Sequence, residues 1–214
     1  MRFTNHDDRI RYYPLLLERS LKALPSIPLP EGYRFVFYRP GDRDTWIDIE
    51  RSAKELSSYE EGIDAWYRYY GGKESMLLDR MVFVETLDGE KVATATAYLD
   101  PADQGDPYRG QLGEGWLHWV AVRKGYQGKG LSKPLIAYVL QIMAGHGHTH
   151  VKVPTQTTTW VACKIYLDLR FRPVPQNADS SKDGWRIVKA LTGHKALAAF
   201  TPATAKEILA EGTE

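Results

Sequence analysis

The stretch Val120-Ala121-Val122-Arg123-Lys124-Gly125-Tyr126-Gln127-Gly128-Lys129-Gly130-Leu131-Ser132 decides the fold. It opens at the end of an aromatic and β-branched run, Trp116 to Val122, that reads as a strand. A glycine-punctuated turn follows. Behind it Leu131, Leu135, Val139 and Ile142 recur at spacings of three and four, the mark of a helix with one buried face. Pro134 near the helix start is tolerated, because first-turn amides have no intrahelical partner. Gly128 and Gly130 let the backbone approach a ligand without a Cβ in the way. The helix start adds unpaired N–H groups and the positive end of its dipole. Arg123, Lys124, Lys129 and Lys133 place four positive charges within eleven residues, with no acid among them. Such a turn suits a phosphate or pyrophosphate, although Gly-x-Gly alone also fits a tight turn carrying solvated lysines. Two nucleotide-binding templates fail. Leu131 stands where the Walker lysine belongs, and Lys133 stands where the third glycine of the dinucleotide fingerprint belongs.

The flanking sequence alternates strands and helices. Upstream, Tyr33 to Tyr38 reads as a strand between Gly32 and Pro40. Thr45 to Leu56 is predicted helical from Trp46, Ile49, Ala53 and Leu56. A second helix begins at Ser58, with Glu61 completing a capping box, places Ile63, Trp66, Tyr67 and Tyr70 on one face, and ends at Gly71-Gly72. Residues 73–80 leave room for another helical turn. Met81 to Glu85 and Val92 to Leu99 read as strands around an Asp88-Gly89 hairpin, followed by a polar loop over 100–113. In Trp116 to Val122, Trp116, His118, Val120 and Val122 alternate with Leu117, Trp119 and Ala121. Downstream come a strand at Thr149 to Val153, a helix over Thr159 to Leu169 with Ala162, Ile165, Tyr166 and Leu169 on one side, and a strand at Phe171 to Val174. A polar loop is expected over 176–184 and a helix start at Thr201-Pro202. The reading is one mixed α/β domain. It has an N-terminal extension packed on it (1–32, extended and proline-rich, with Leu15-Leu16-Leu17 available for packing), a core over 33–175 and a C-terminal extension over 176–214.

Composition narrows the function classes. The 214 residues are 43% hydrophobic and 26% charged, in the globular range. With 28 basic and 27 acidic residues the net charge is +1, so nothing points to a nucleic-acid partner. Cys163 is the only cysteine, which excludes an intrachain disulfide and makes a reducing cytoplasm the expected compartment. The N-terminal residues lack the apolar core of a signal peptide. The longest apolar stretch, Leu135 to Ala144, is broken by Gln141 and is half the ~20 residues a membrane helix needs, so no membrane partner is expected.

Gln127-Gly128-Lys129-Gly130-Leu131-Ser132 resembles the Gln/Arg-x-x-Gly-x-Gly/Ala pyrophosphate loop of the GNAT N-acetyltransferase superfamily, with Ser132 in place of the last small residue. Ala162-Cys163-Lys164-Ile165-Tyr166-Leu167-Asp168-Leu169-Arg170-Phe171 resembles the superfamily's Ala-Ile-x-Leu-Tyr-x-x-x-Gly-Phe signature. Arg170 replaces the glycine, and Thr159 replaces a frequent asparagine. The resemblance covers residues 116–171, and the element order over 33–115 agrees with it. It implies a mostly antiparallel central sheet with a splayed central strand pair and flanking helices. It also implies acetyl-CoA as cosubstrate. Backbone groups of Val120, Ala121 and Val122 would bind the pantetheine arm; Gln127, Gly128, Lys129, Gly130, Leu131, Ser132 and Lys133 would hold the pyrophosphate; Thr159 and Ala162 would line the acyl carrier. The acceptor would be a small-molecule or protein amine, attacking directly in a ternary complex. A non-catalytic acyl-CoA-binding or interaction module on the same fold is the alternative, and a homodimer is left open.

Three residues are acid–base candidates. The resemblance places the Tyr166 hydroxyl near the sulfur of CoA as an acid. The resemblance also puts His118 on the strand that would line the thioester, where it implies a proton relay, and Glu114 just before that strand is a second base candidate. A core tyrosine, a half-buried strand histidine and an exposed loop carboxylate are the structural readings of the same three residues. His146-x-His148-x-His150 alternates as a metal site on a strand would, yet Gly145 and Gly147 interleave and no carboxylate completes a shell, so no metal is expected. Residues 41–73 are read as the acceptor region. Eight acids against three bases leave −5 over 41–64, and Trp66, Tyr67, Tyr69 and Tyr70 add aromatic surface suited to a cationic amine. Solvated helix faces and core aromatics account for the same pattern.

Overall fold

The computed structural model describes residues 6–98, 114–174 and 179–212. The polar loop read at 100–113 lies outside the described residues. The architecture is mixed α/β with mostly antiparallel strands. The chain forms two compact units, Ser20–Val151 and a smaller one made of Met1–Arg19 with Lys152–Glu214. Strand β1 (Pro14–Ser20) comes first in chain order and is taken with the smaller unit.

The larger unit holds β2 (Tyr33–Phe37), α1 (Arg43–Ser52), α2 (Tyr59–Tyr70), α3 (Glu74–Leu77), β3 (Met81–Thr86), β4 (Lys91–Tyr98), β5 (Glu114–Val122) and α4 (Ser132–Gly145). Strands β2, β3, β4 and β5 lie side by side in that order, each antiparallel to the next. The turn at Asp88-Gly89 closes the β3–β4 hairpin through Thr86 N–H to Glu90 O at 2.9 Å. Helix α4 packs on β3, β4 and β5, and α1 packs on β4 and β5. Leu131, just before α4, and Leu135 and Val139 on it are buried as expected, joined by Ile136, Leu140 and Met143, whereas Ile142 is only partly covered.

Two helices depart from their expected bounds or faces. Helix α1 stops at Ser52, not Leu56, because Lys54 turns into the left-handed region at φ +68°. Lys54 N–H then bonds Arg51 O, and Glu55 N–H bonds Glu50 O, the paired bonds of a Schellman cap. A lysine gives no sequence signal for that cap. In α2, Ser58 accepts from Glu61 N–H at 3.1 Å as predicted, but the Glu61 carboxylate reaches back to Ser57 N–H at 2.7 Å, one residue early. The buried stripe is Gly62, Ala65, Trp66 and Tyr70. Ile63 is half-buried and Tyr67 is 57% exposed. The stripe is set by Gly62, where a Cβ would come within 2.5 Å of Ile47 Cγ2 on α1.

Strand β5 does not alternate throughout. Thr96 pairs with His118 and Thr94 with Ala121, so Ala95 alone faces Trp119 and Val120. Trp119 takes φ +47° at this bulge. The alternation holds from Trp116 to His118 and restarts at Ala121, which removes Val120 and Val122 from the face shared by Trp116 and His118.

In the smaller unit β6 (His150–Gln156), β1 and β7 (Arg172–Pro173) lie side by side. The extended segment at 14–20 is thus a strand, with Leu15, Leu17 and Arg19 buried on alternate positions. A 3₁₀ turn over Thr157–Thr159 leads into α5 (Trp160–Asp168). Its buried residues are Cys163, Tyr166 and Leu167; Ala162 and Ile165, expected on the same side, are only partly covered. Helix α6 (Asp179–Thr192) replaces most of the loop read over 176–184. Asp179-Ser180-Ser181-Lys182-Asp183-Gly184 has loop composition, yet Ser181, Gly184, Trp185 and Val188 are buried at helical spacing. A Cβ on Gly184 would come within 2.8 Å of Leu15 on β1. Helix α7 (Ala205–Ile208) starts from Thr204, not Thr201, through a capping box with Glu207. Ile10 bridges to Leu209, so the two ends of the described chain pair here. No helix of the described residues is long and apolar enough to cross a membrane.

The end of α5 explains the signature read in the sequence. Arg170 N–H bonds Leu167 O and Phe171 N–H bonds Tyr166 O, both at 3.0 Å. Tyr166 and Phe171 rings pack at 5.6 Å. This is a Schellman cap with its apolar contact. The glycine of the family signature is the residue that must turn left-handed, the phenylalanine is the next one, and the tyrosine is its packing partner. Arg170 holds the same place at φ +66°, where a Cβ is unfavourable. Arg170→Gly should therefore stabilise the protein by about 0.5–1 kcal/mol, the Cβ strain being partly offset by the extra freedom of glycine in the unfolded chain. Urea unfolding of the two proteins at one pH checks this; a destabilised variant would show that the arginine side chain outweighs the strain.

Candidate active site

The glycine turn leaves β5 through two tethers. Arg123 N–H bonds Val92 O at 2.8 Å and Lys124 N–H bonds Ser52 Oγ at 2.9 Å. A 3₁₀ turn over Lys124–Tyr126 follows. The Gln127 carboxamide donates to Val122 O at 3.0 Å and closes the turn on itself, so the side chain of Gln127 shapes the loop from within. Gly128 and Gly130 stand at φ +78° and +80°. A Cβ on Gly128 would meet nothing within 4 Å, and one on Gly130 only Pro30 Cγ at 3.8 Å. The turn is therefore open on the side its glycines present. Leu131 is buried and anchors the start of α4, which has no side-chain cap. Pro134 contributes no amide, and Ser132 and Lys133 form the first turn. Lys129 lies over the Tyr126 ring at 4.5 Å, and Arg123 is 3.7 Å from Glu90. The expected phosphate cradle is thus one open turn with exposed Lys124, Lys129 and Lys133 around it. A pyrophosphate fits such a turn. Ala121 and Val122 are buried in the strand, and Val120 is partly exposed at the bulge.

His118 stands just before that bulge, inside a box of rings. Tyr98 stacks on it at 4.6 Å and 21°, and Tyr69 meets it edge-on at 4.6 Å and 75°. Trp119 and Tyr70 lie about its other sides at 6.0 and 6.2 Å. The Tyr70 hydroxyl is 3.4 Å from His118 Nδ1 and 3.2 Å from Thr96 Oγ1. The imidazole keeps some solvent contact, but the rings strip most of its hydration, and this burial pushes its pKa down to about 3. His118 is therefore neutral at ordinary pH. Glu114, at the start of β5, is partly exposed.

Of the other candidates, Tyr166 is buried, with its ring committed to the cap of α5. Thr159 donates its hydroxyl to Gln156 O and shares a bond with Thr155 Oγ1, both at 3.2 Å, so its polar atom is used inside the unit. Ala162 is partly exposed. Cys163 is fully buried, and burial raises its thiol to about 12; it is no nucleophile. The three spaced histidines have separate surroundings. His146 is 3.4 Å from Asp79, His148 is buried 3.2 Å from Arg80, and His150 is bonded to Thr149. The acids of residues 41–64 are largely used one by one. Asp42 holds Lys91 and Arg39 N–H, Asp44 holds Arg43 and Tyr59, and Glu61 caps α2. Glu50 is fully buried with neither carboxyl oxygen bonded among the described residues, and burial, with Glu55 adding to it, raises its pKa well above the usual carboxylate range. Trp66 and Tyr70 belong to the core. The sequence puts Tyr70 in the acceptor region but carries no local pattern that links it to His118, 48 residues away, or that brings Thr96 and Tyr98 to the same ring.

Residues 43–169 match the model of the acetyltransferase (GNAT) family. No curated protein matches the sequence. Among solved structures, a GCN5-related N-acetyltransferase from Sphaerobacter thermophilus superposes with a TM-score of 0.60 at 19% identity, over 78% of this chain and 49% of that one. An acetyltransferase from the GNAT family of Colwellia psychrerythraea gives 0.57 at 13% identity, over 77% and 54%. The likeness is one of fold, and this chain spans about half the length of either structure.

The neutral state of His118 has a consequence that needs no ligand. Its folded pKa of about 3 lies below the unfolded value of ~6.5. Between those values the unfolded chain binds a proton that the folded one refuses, so the stability held above pH 6.5 is lost as pH falls toward 3. The stability difference between wild type and His118→Gln should shrink by about 1.4 kcal/mol per pH unit from pH 6 to pH 4. Urea titrations at pH 6, 5 and 4 measure it, and a constant difference would mean that His118 titrates normally.

Proposed function

Since the chain belongs to the acetyltransferase (GNAT) family over residues 43–169, we propose that it is an acetyl-CoA-dependent N-acetyltransferase of amines, acting by direct attack. The observation that carries this reading is the open turn between β5 and α4, with two left-handed glycines, an uncapped helix start and surrounding lysines. Amides of residues 127–132 would hold the pyrophosphate of CoA, with Lys133 beside them, and backbone groups of Val120, Ala121 and Val122 the pantetheine arm. Thr159 and Ala162 keep their assignment from the family signature. Acetyl-CoA would supply an acetyl thioester, whose acyl group passes to the amine nitrogen while the carbon–sulfur bond breaks and CoA leaves as the thiol.

Proton handling falls to this chain. An alkylamine is mostly protonated at neutral pH, with a pKa near ~10.4. His118, neutral and ringed by aromatics, accepts the proton in passing and hands it to solvent, because an imidazolium is disfavoured where it stands. Glu114 is the second candidate for that role. Tyr166 donates to the leaving sulfur, on the strength of the family signature. Direct attack agrees with the state of Cys163, the one cysteine, which is buried and held as a thiol and so offers no acyl-enzyme route. That single free thiol also suits a reducing, cytoplasmic setting.

Acetyl-CoA and CoA should both raise the melting temperature. Gly130→Asp puts a side chain and a negative charge into the open turn and should abolish that shift while the circular dichroism of the free protein stays unchanged. A normal shift would remove the turn from the binding site. Release of free thiol in an amine panel, with a one-acetyl mass gain on the acceptor, separates an enzyme from a binding module. Tyr166→Phe keeps the ring that caps α5 and removes the hydroxyl; kcat should fall roughly 10- to 1000-fold with CoA binding retained. Wild-type turnover, with chemistry limiting, would exclude Tyr166 as the acid.

A further inference from the structure

Thr96 and His118 are direct cross-strand partners in the β4–β5 pairing, and Tyr70, the last residue of α2, reaches both. Tyr70 is fully buried. Its hydroxyl has one proton, which it gives to Thr96 Oγ1 at 3.2 Å. With that proton committed, the contact of 3.4 Å to His118 Nδ1 is a hydrogen bond only if Nδ1 carries the hydrogen and Tyr70 Oη accepts it. The ring is flanked by Tyr98, stacked on its face, and by Tyr69, edge-on to it, and in this orientation Nδ1 is the nitrogen that faces Tyr70. In a neutral imidazole a hydrogen on Nδ1 leaves the lone pair on Nε2.

We infer that Tyr70, backed by Thr96, is a positioning residue that holds neutral His118 as the Nδ1–H tautomer, so that Nε2 is the basic nitrogen. The chain runs His118 Nδ1–H to Tyr70 Oη–H to Thr96 Oγ1. No charge is involved: burial keeps the imidazole neutral and keeps the Tyr70 phenol protonated, its pKa lying well above the usual value. The consequence for turnover rests on the relay proposed for His118, whereas the tautomer itself is a property of the free protein.

Two substitutions test it from opposite ends. Tyr70→Phe removes the acceptor and keeps the ring in its aromatic cluster. Thr96→Val is nearly isosteric and removes the acceptor for the phenol, so the Tyr70 proton turns to Nδ1 and forces the hydrogen of His118 onto Nε2. Nitrogen-15 spectra of histidine-labelled protein at pH 7 read the tautomer directly, with the His118 signals identified by their loss in His118→Gln. Wild type should show a protonated Nδ1 and a bare Nε2, and both variants should move toward Nε2–H, while unmoved signals from the other five histidines show that the fold is intact. A wild-type hydrogen on Nε2, or either variant keeping the wild-type pattern, overturns the inference. Once an acceptor is identified, each variant should lower kcat about ten-fold and leave KM for acetyl-CoA near the wild-type value, since a wrong tautomer harms proton transfer and not binding. A switched tautomer with unchanged kcat would overturn the relay assigned to His118 and leave the positioning intact.

Discussion

One extra residue in β5 governs the larger unit. Ala95 on β4 faces both Trp119 and Val120, and the strand absorbs the surplus by putting Trp119 at φ +47°. A bulge of this kind bends its strand and re-aims the side chains beyond it. Before it, His118 lies opposite Thr96 under the rings of α2. After it, Ala121 and Val122 rejoin the pairing and deliver the chain into the glycine turn and α4. Without the bulge every side chain after position 118 would sit on the other face. A tryptophan is a costly residue at positive φ, and it is held there by rings on several sides, Trp46 at 5.2 Å and Tyr69 at 5.9 Å among them.

The same economy appears at two helix ends. Helices α1 and α5 both close with Schellman caps in which the left-handed residue is a long cation, Lys54 or Arg170, where glycine is the easy choice. The carbonyls at those ends are satisfied all the same, since the cap is defined by backbone bonds. At α5 the apolar half of the cap is the Tyr166–Phe171 contact. The tyrosine ring therefore has a structural duty at the end of α5.

Polar groups divide into those the fold satisfies locally and those it seals. The acids of 41–64 mostly find a cation or an amide within reach, so the net −5 of that segment does not amount to a single negative wall. Glu50 and His118 are the reverse. Each has lost most of its contact with water, and burial raises the pKa of the acid and lowers that of the base. Two opposite shifts share one cause, the loss of water from the charged form.

The strand–turn–helix around Gly128 and Gly130, the hairpin at Asp88-Gly89, the N-cap at Ser58 and the order of elements from Tyr33 to Phe171 could be read directly, because each is written in neighbours along the chain: periodicity, a cap, a turn residue. The glycine turn is a phosphate-site candidate on its own residues, whereas Tyr166 is a site candidate only through the resemblance to the family signature, its spacing alone fitting a core tyrosine. The strand at 14–20 and the helix at 179–192 were not legible as such. Proline and serine-rich segments adopt them only because Leu15, Leu17, Trp185 and Val188 find something to pack on. Nor could the sequence place Tyr70 beside His118 or show that the imidazole is neutral. Those depend on the bulge at Trp119 and on rings from α2, β4 and β5 meeting in one place, and burial and hydrogen-bond geometry between residues far apart in the chain exist only once the tertiary contacts are made.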